Sequence, residues 1–220
     1  MTKGVWFLLL TTQFFATALA GDVSKFDVQG IKLGQTYREI ESKLYELCGE
    51  KESWKNNSRT SIGSKSWKDF ISCNKYAIWL TRHEKTHYVS KEIKFTGEPS
   101  IEEIEKQLYS KYGKPDEKGY EFRDNFSKPE EKEYIKTFCW GEYCSEYPTS
   151  ERAMWRGTTS GAKKGINLNV RYSHDSMNNM YSIRLVLRDF DMGSLNREWI
   201  KNYKSQLEDE QKKKTSNLGL

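Results

Sequence analysis

The chain has 220 residues, 36% of them hydrophobic and 30% charged, with a formal net charge of +5 at neutral pH. That length is enough for one large domain or two small ones with a real core. The charge is mild, and Lys and Arg alternate with Glu and Asp along most of the chain, so the pattern argues against a nucleic-acid surface and leaves Lys212-Lys213-Lys214 as a solvated tail.

Residues 1–20 read as a secretory signal: Lys3 gives a positive start, Val5 to Phe15 a short apolar run, and Ala18-Leu19-Ala20 a cleavage site before Gly21. Thr11, Thr12 and Gln13 interrupt the run, which falls short of the ~20 apolar residues a membrane span needs. No Cys follows the cleavage site, so a lipoprotein anchor is not indicated, and no later segment is apolar enough to span. The expected location is periplasmic or secreted.

From residue 37 the apolar positions Tyr37, Ile40, Leu44 and Leu47 follow the helical period, and Ile101, Ile104, Leu108 and Tyr112 do the same. Thr36-x-x-Glu39 and Ser100-x-x-Glu103 are capping boxes in which hydroxyl and carboxylate satisfy free backbone N–H groups reciprocally. Gly49 and Gly113 stand where a left-handed C-cap belongs, and Pro115 stops the second helix. The acidic residues Glu39, Glu41, Glu102, Glu103 and Glu105 read as solvated helix starts rather than paired catalytic carboxylates.

Tyr76, Ile78 and Leu80 alternate like a half-buried strand, as do Ile166, Leu168, Val170 and Tyr172. Val89 to Phe95 closes the first half much as Tyr181 to Leu187 closes the second. The charged stretch from Lys114 to Glu133, with Pro115, Gly119 and Pro129, reads as a solvated excursion, and Gly157 to Gly165 as a glycine-rich hairpin loop. Leu195, Trp199, Tyr203 and Leu207 give a last amphipathic stripe. The fold expected from these elements is α+β: two tandem repeats, each a helix followed by an antiparallel β-meander, over residues 21–97 and 98–192, plus a C-terminal amphipathic helix and basic tail over 193–220.

All four cysteines, Cys48, Cys73, Cys139 and Cys144, lie in the exported part, where an even count favours disulfides. Of the three possible pairings, Cys48–Cys73 and Cys139–Cys144 keep each bridge within one half of the chain. A four-cysteine zinc site or a thioredoxin-like redox pair would need C-x-x-C spacing, which is missing. The short loop closed by the second bridge carries Trp140 and Tyr143, which with Trp155 are the candidate binding residues.

His83-Glu84-Lys85-Thr86-His87 matches H-E-x-x-H, a zinc-protease motif that works only on a helix, where i, i+4 spacing aims both imidazoles at one metal. The flanks alternate with period two instead. Aligning the halves sets His83 against His174, in the turn-forming run Ser173 to Asn179. The segment therefore reads as a hairpin tip with both histidines solvated; the competing reading is a metal site on His83 and His87. No G-x-S-x-G elbow or phosphate-cradling glycine loop is present, and no cofactor is expected.

Gly30 to Ile40, and again Ser100 to Leu108 followed by Gly113-Lys114-Pro115, resemble the "L-G-x-[ST]-x-x-[EQ]-[VI] … L … G-x-P" opening of the small outer-membrane assembly lipoproteins of the SmpA/OmlA type. The apparent duplication is similar to that of the β-lactamase inhibitory proteins. The resemblance implies helices against an antiparallel sheet, no catalysis, and work done by protein contacts. The function expected is that of an exported, non-enzymatic binding or envelope-interaction protein whose partner is another envelope or secreted protein. The alternatives are a secreted enzyme inhibitor and, on the HEKTH motif, a zinc hydrolase.

Overall fold

The computed structural model describes residues 22–125, 128–142, 144, 164–175 and 180–216; residues 1–20, read above as a secretory signal, and residues 157–163, read as part of a glycine-rich loop, lie outside them. A short hairpin, β1 (Asp27–Val28) and β2 (Ile31–Lys32), leads into α1 (Tyr37–Cys48). Four strands follow: β3 (Asn56–Ile62), β4 (Lys65–Cys73), β5 (Tyr76–Leu80) and β6 (Thr86–Phe95). After α2 (Ile101–Tyr112) come β7 (Glu117–Asn125), β8 (Lys128–Trp140), β9 (Ile166–Asp175) and β10 (Met180–Asp189), and the last element is α3 (Phe190–Ser216).

The strands β3 to β10 form one eight-stranded antiparallel sheet in the order β3-β4-β5-β6-β10-β9-β8-β7. The expected pair of tandem repeats is therefore corrected: the architecture is a single sheet-dominated α+β fold. The cause lies in β6 and β10, whose patterns suggest the closing strands of separate meanders. They pair with each other from Phe95 opposite Tyr181 to Tyr88 opposite Arg188. Left apart, each would expose a row of unpaired N–H and C=O groups along a sheet edge. Joined, they become the centre of the sheet, and both helices close over one continuous core.

The front face carries that core. Ile40 and Leu44 of α1 and Leu108 and Tyr112 of α2 pack with Ile71, Ile78, Val89, Leu168, Val170, Ile183 and Leu187 from the sheet. The α1 capping box forms in full, with Thr36 accepting from the Glu39 N–H and Glu39 accepting from the Thr36 N–H at 2.6 Å. At α2 only half forms: Ser100 Oγ accepts from the Glu103 N–H. Gly49 and Gly113 end the helices at φ 74° and 77°, where glycine has no Cβ to clash. Cys48–Cys73 ties the end of α1 to the end of β4, and Cys139–Cys144 closes the turn after β8, so each bridge is local as expected.

Three other expectations change. The charged stretch after Lys114 is not a loop but the edge hairpin β7–β8, since an edge strand needs no apolar neighbour on its open side. Ser173-His174-Asp175 continue β9 instead of turning, and the His174 ring stacks 4.1 Å from that of Tyr181. The helix α3 begins at Phe190, directly after β10, with Asp189 Oδ1 accepting from the Met192 N–H at 2.8 Å. Of its expected stripe, Trp199, Tyr203 and Leu207 lie partly buried against the sheet, with the Trp199 ring 5.9 Å from that of Trp67, while Leu195 is 66% exposed and Gly193 and Asn196 take the buried positions of the first turns. No helix among the described residues is long and apolar enough to cross a membrane.

Candidate functional site

The back face of the sheet is built by two register shifts. In β4, Phe70 pairs with Ser58 but Lys68 with Arg59, so Asp69 is an extra residue. In β6, Tyr88 pairs with Trp79 but Thr86 with Leu80, so His87 is the extra one. A bulge re-aims the side chains beside it. As a result Trp67, Asp69, Trp79, His87 and Tyr88 line one cavity of about 290 Å³, which Asn196 and Arg197 of α3 close from above.

At the mouth of this cavity Trp79 is 44% exposed, and its ring lies 4.3 Å from that of Phe70. Outward placement of Trp79 follows from strand alternation, because Tyr76, Ile78 and Leu80 point into the core. Cations stand over the surrounding rings. Arg188 sits 5.0 Å from the Tyr88 ring and 4.7 Å from that of Phe190, Arg82 sits 4.5 Å from Trp199, and Lys65 sits 4.4 Å from Tyr203. Each such contact is worth on the order of 0.5–2 kcal/mol, depending on desolvation. Together they hold rigid aromatic planes at a partly wet surface.

His87 lies beneath α3. Its Nδ1 is shielded from water and has no hydrogen-bond partner among the described residues. Burial, reinforced by the positive charges of Arg188 and Arg197, holds its pKa down at about 4, so the ring is neutral at physiological pH. The hairpin-tip reading is thus right for His83, which is exposed, and wrong for His87, which is on the strand and half-buried. The other motif residues have structural partners. Glu84 takes a left-handed φ of 55° and accepts from the Lys68 N–H at 2.8 Å. Thr86 is buried and donates its hydroxyl to the Gln35 carbonyl. The segment is a turn and a strand, so the i, i+4 helical geometry of the zinc-protease motif is not formed.

Of the aromatic candidates near the second disulfide, Trp140 is corrected from binding surface to core. It is fully buried, donates Nε1–H to the Gly113 carbonyl at 2.9 Å, and packs 5.9 Å from the Tyr112 ring. Strand phase explains this, since Phe138 and Trp140 both face α2. Tyr143 and Trp155 lie outside the described residues. Sequence reasoning misses Trp79, Phe70, Tyr88 and Arg188, although an outward Trp in an alternating strand is a usable signal for the first. Comparison with family models, with curated proteins and with solved structures returned no match for the chain.

Proposed function

We propose that the protein is an exported, non-enzymatic binding protein that engages another envelope or secreted protein through the back face of its sheet around Trp79. The observation that carries this reading is the exposed Trp79 tilted against Phe70, with the buried Tyr88 under the Arg188 guanidinium holding the surface behind it. Trp, Tyr and Arg are the residues that dominate measured binding energies at protein interfaces, because they bring large area at low entropic cost. Two disulfides support an oxidising compartment, as does the signal-like start of the chain. The resemblance of Gly30 to Ile40 to the SmpA/OmlA opening supports work done by protein contacts.

The test is affinity measurement on a partner captured by the oxidised 21–220 chain from envelope or culture fractions and then identified and purified. Trp79→Ala should weaken binding by about thirtyfold or more, the scale of a dominant interface residue. Leu195→Ala, at an exposed apolar residue on α3, should leave it unchanged. Equal affinity of the Trp79 variant and the wild type would reject this surface as the contact.

A further inference from the structure

On the opposite face, α2 and the sheet enclose a separate cleft of about 430 Å³, a size typical of small-molecule sites. It exists because α2 is seated unevenly. Leu108 and Tyr112 in its C-terminal half are buried, while Ile101 and Ile104 in its N-terminal half are only partly so. Ile93 and Phe95 of β6 and Ile183 of β10 form the floor under the less buried half.

The cleft has polarity along its length. At the α2 C-terminal end stand Lys91 and Lys111, and from there the floor runs through Ile93 to Phe95 beneath Ile104. Lys111 is paired with Asp27 at 3.0 Å. Lys91 has no carboxylate partner among the described residues; its ammonium stands over the Tyr76 ring, 5.9 Å away. Lys91 is itself partly buried on the core side of β6, between the fully buried Val89 and the partly buried Ile93, where a cation without a counter-charge gives up part of its hydration. Burial and the neighbouring Lys75 and Lys111 lower its pKa.

We propose that this cleft binds a single-chain carboxylate amphiphile, its carboxylate against Lys91 and its alkyl chain laid along Ile93 and Phe95 under Ile104. Charge complementarity selects the head group, because the anion supplies the partner that Lys91 lacks. The apolar floor of Ile93, Phe95 and Ile183 beneath Ile104 selects the tail; Glu103 and Gln107 also line the α2 side, where Glu103 is paired with Lys106 at 3.9 Å. Four residues of strand from Lys91 to Phe95 span roughly 13 Å, the reach of an extended chain of about ten carbons. This site is independent of the surface around Trp79.

Decanoate below its micelle concentration is the probe, titrated calorimetrically into the oxidised 21–220 chain. One molecule should bind per chain, with decanol and decyltrimethylammonium weaker by about tenfold or more and acetate not binding. Lys91→Met should erase the preference for decanoate over decanol. Ile104→Trp should fill the cleft and remove binding of both. Should that variant fold poorly, methyl NMR of the wild type still decides: decanoate should shift Ile93, Ile104 and Ile183 and leave Ile62 and Ile200 unmoved. No saturable decanoate binding, equal affinity for decanol, shifts outside the cleft, or binding only to anionic vesicles would each overturn the proposal.

Discussion

A Cβ placed on Gly193 would come within 3.0 Å of His87 Nδ1, so the first turns of α3 rest directly on the imidazole at the β6 bulge. The helix backbone fills the space that would otherwise let water or a partner reach that nitrogen. His87 therefore stays neutral, and its neutrality couples α3 to the sheet.

Stability should consequently depend on pH in a defined window. The folded pKa of His87 is lowered to about 4 from 6.5, so between those values the unfolded chain binds a proton that the folded chain does not. Stability is fully present above pH 6.5 and falls as the pH drops toward 4, by on the order of 3 kcal/mol at most. Carboxylates with lowered pKa, such as Asp27, Glu39 and Glu41, add their losses at lower pH. Urea unfolding at about pH 7 and about pH 4.5 isolates the histidine through His87→Leu, which should abolish most of the difference between the two conditions. An unchanged pH slope in the variant would show that His87 is not the group responsible.

Gly193→Ala tests the same contact from the helix side. Alanine is the better helix former by about 1 kcal/mol, so a helix free of the sheet would gain from the change. Because the new methyl meets His87 at 3.0 Å, the expected outcome is a net loss of stability in the wild-type background. The loss should disappear when His87 is also alanine. Additive effects in that double-mutant cycle would mean the two residues do not touch in solution.

Much of the front face is legible in the sequence because its signals are local. Thr36 with Glu39, Gly49 and Gly113, and the alternation of Tyr76, Ile78 and Leu80 each report the backbone conformation of a few residues. Pairing between β6 and β10 is not local: Val89 to Phe95 and Tyr181 to Leu187 each announce a strand but not a neighbour, so similar halves read as separate units. The strand β3 carries almost no apolar residue because it lies at an edge, and it escapes a search for apolar alternation for that reason. Both bulges shift side chains by one place: alternation back from Val89 would set His87 on the core face and the hairpin-tip reading sets it in solvent, whereas the bulge turns it beneath α3, and nothing local signals the cavity around Asp69. For Trp140, a tryptophan beside a short disulfide loop can face either way, and only the strand phase set by Phe138 decides.

Trp140 carries a prediction of its own. Trp140→Phe should lose the Nε1–H bond to Gly113 and some packing, about 1–2 kcal/mol, and Trp140→Ala about 3–5 kcal/mol through the cavity left beside Tyr112 and Phe138. Neither should alter affinity for a partner once the fraction folded is taken into account. Full stability of the alanine variant together with lost binding would return Trp140 to the surface.

The bridges should differ in worth because they close loops of different length. Cys48 and Cys73 are 25 residues apart and Cys139 and Cys144 are 5 apart. Loop-closure entropy then gives about 3.5 kcal/mol for the first and about 2 kcal/mol for the second. Paired alanine substitutions measured by urea unfolding would check the order, and non-reducing peptide mapping would check the pairing. A Cys73–Cys139 peptide would contradict it.

Glu84 separates a structural reading of the HEKTH segment from a chemical one. Its backbone is in the left-handed region at φ 55°, where a side chain costs on the order of 1–2 kcal/mol relative to glycine, while its carboxylate accepts from the Lys68 N–H and lies 3.7 Å from Arg59. Glu84→Ala keeps the strain and leaves a strand N–H without its acceptor, so it should cost about 1–3 kcal/mol. Glu84→Gly loses the same acceptor but relieves the strain, and should be less damaging by about 1 kcal/mol. Glu84→Gln keeps an oxygen for Lys68 and should be the mildest of the three. Unfolding midpoints in the order Gln, Gly, Ala, with zinc content of protein purified without chelator the same for all three, are the expected result. Were Glu84 a general base beside a metal held by His83 and His87, the three variants would lose activity together whatever their stability, and His83→Ala, at an exposed turn residue expected to cost no more than about 0.5 kcal/mol, would release stoichiometric zinc.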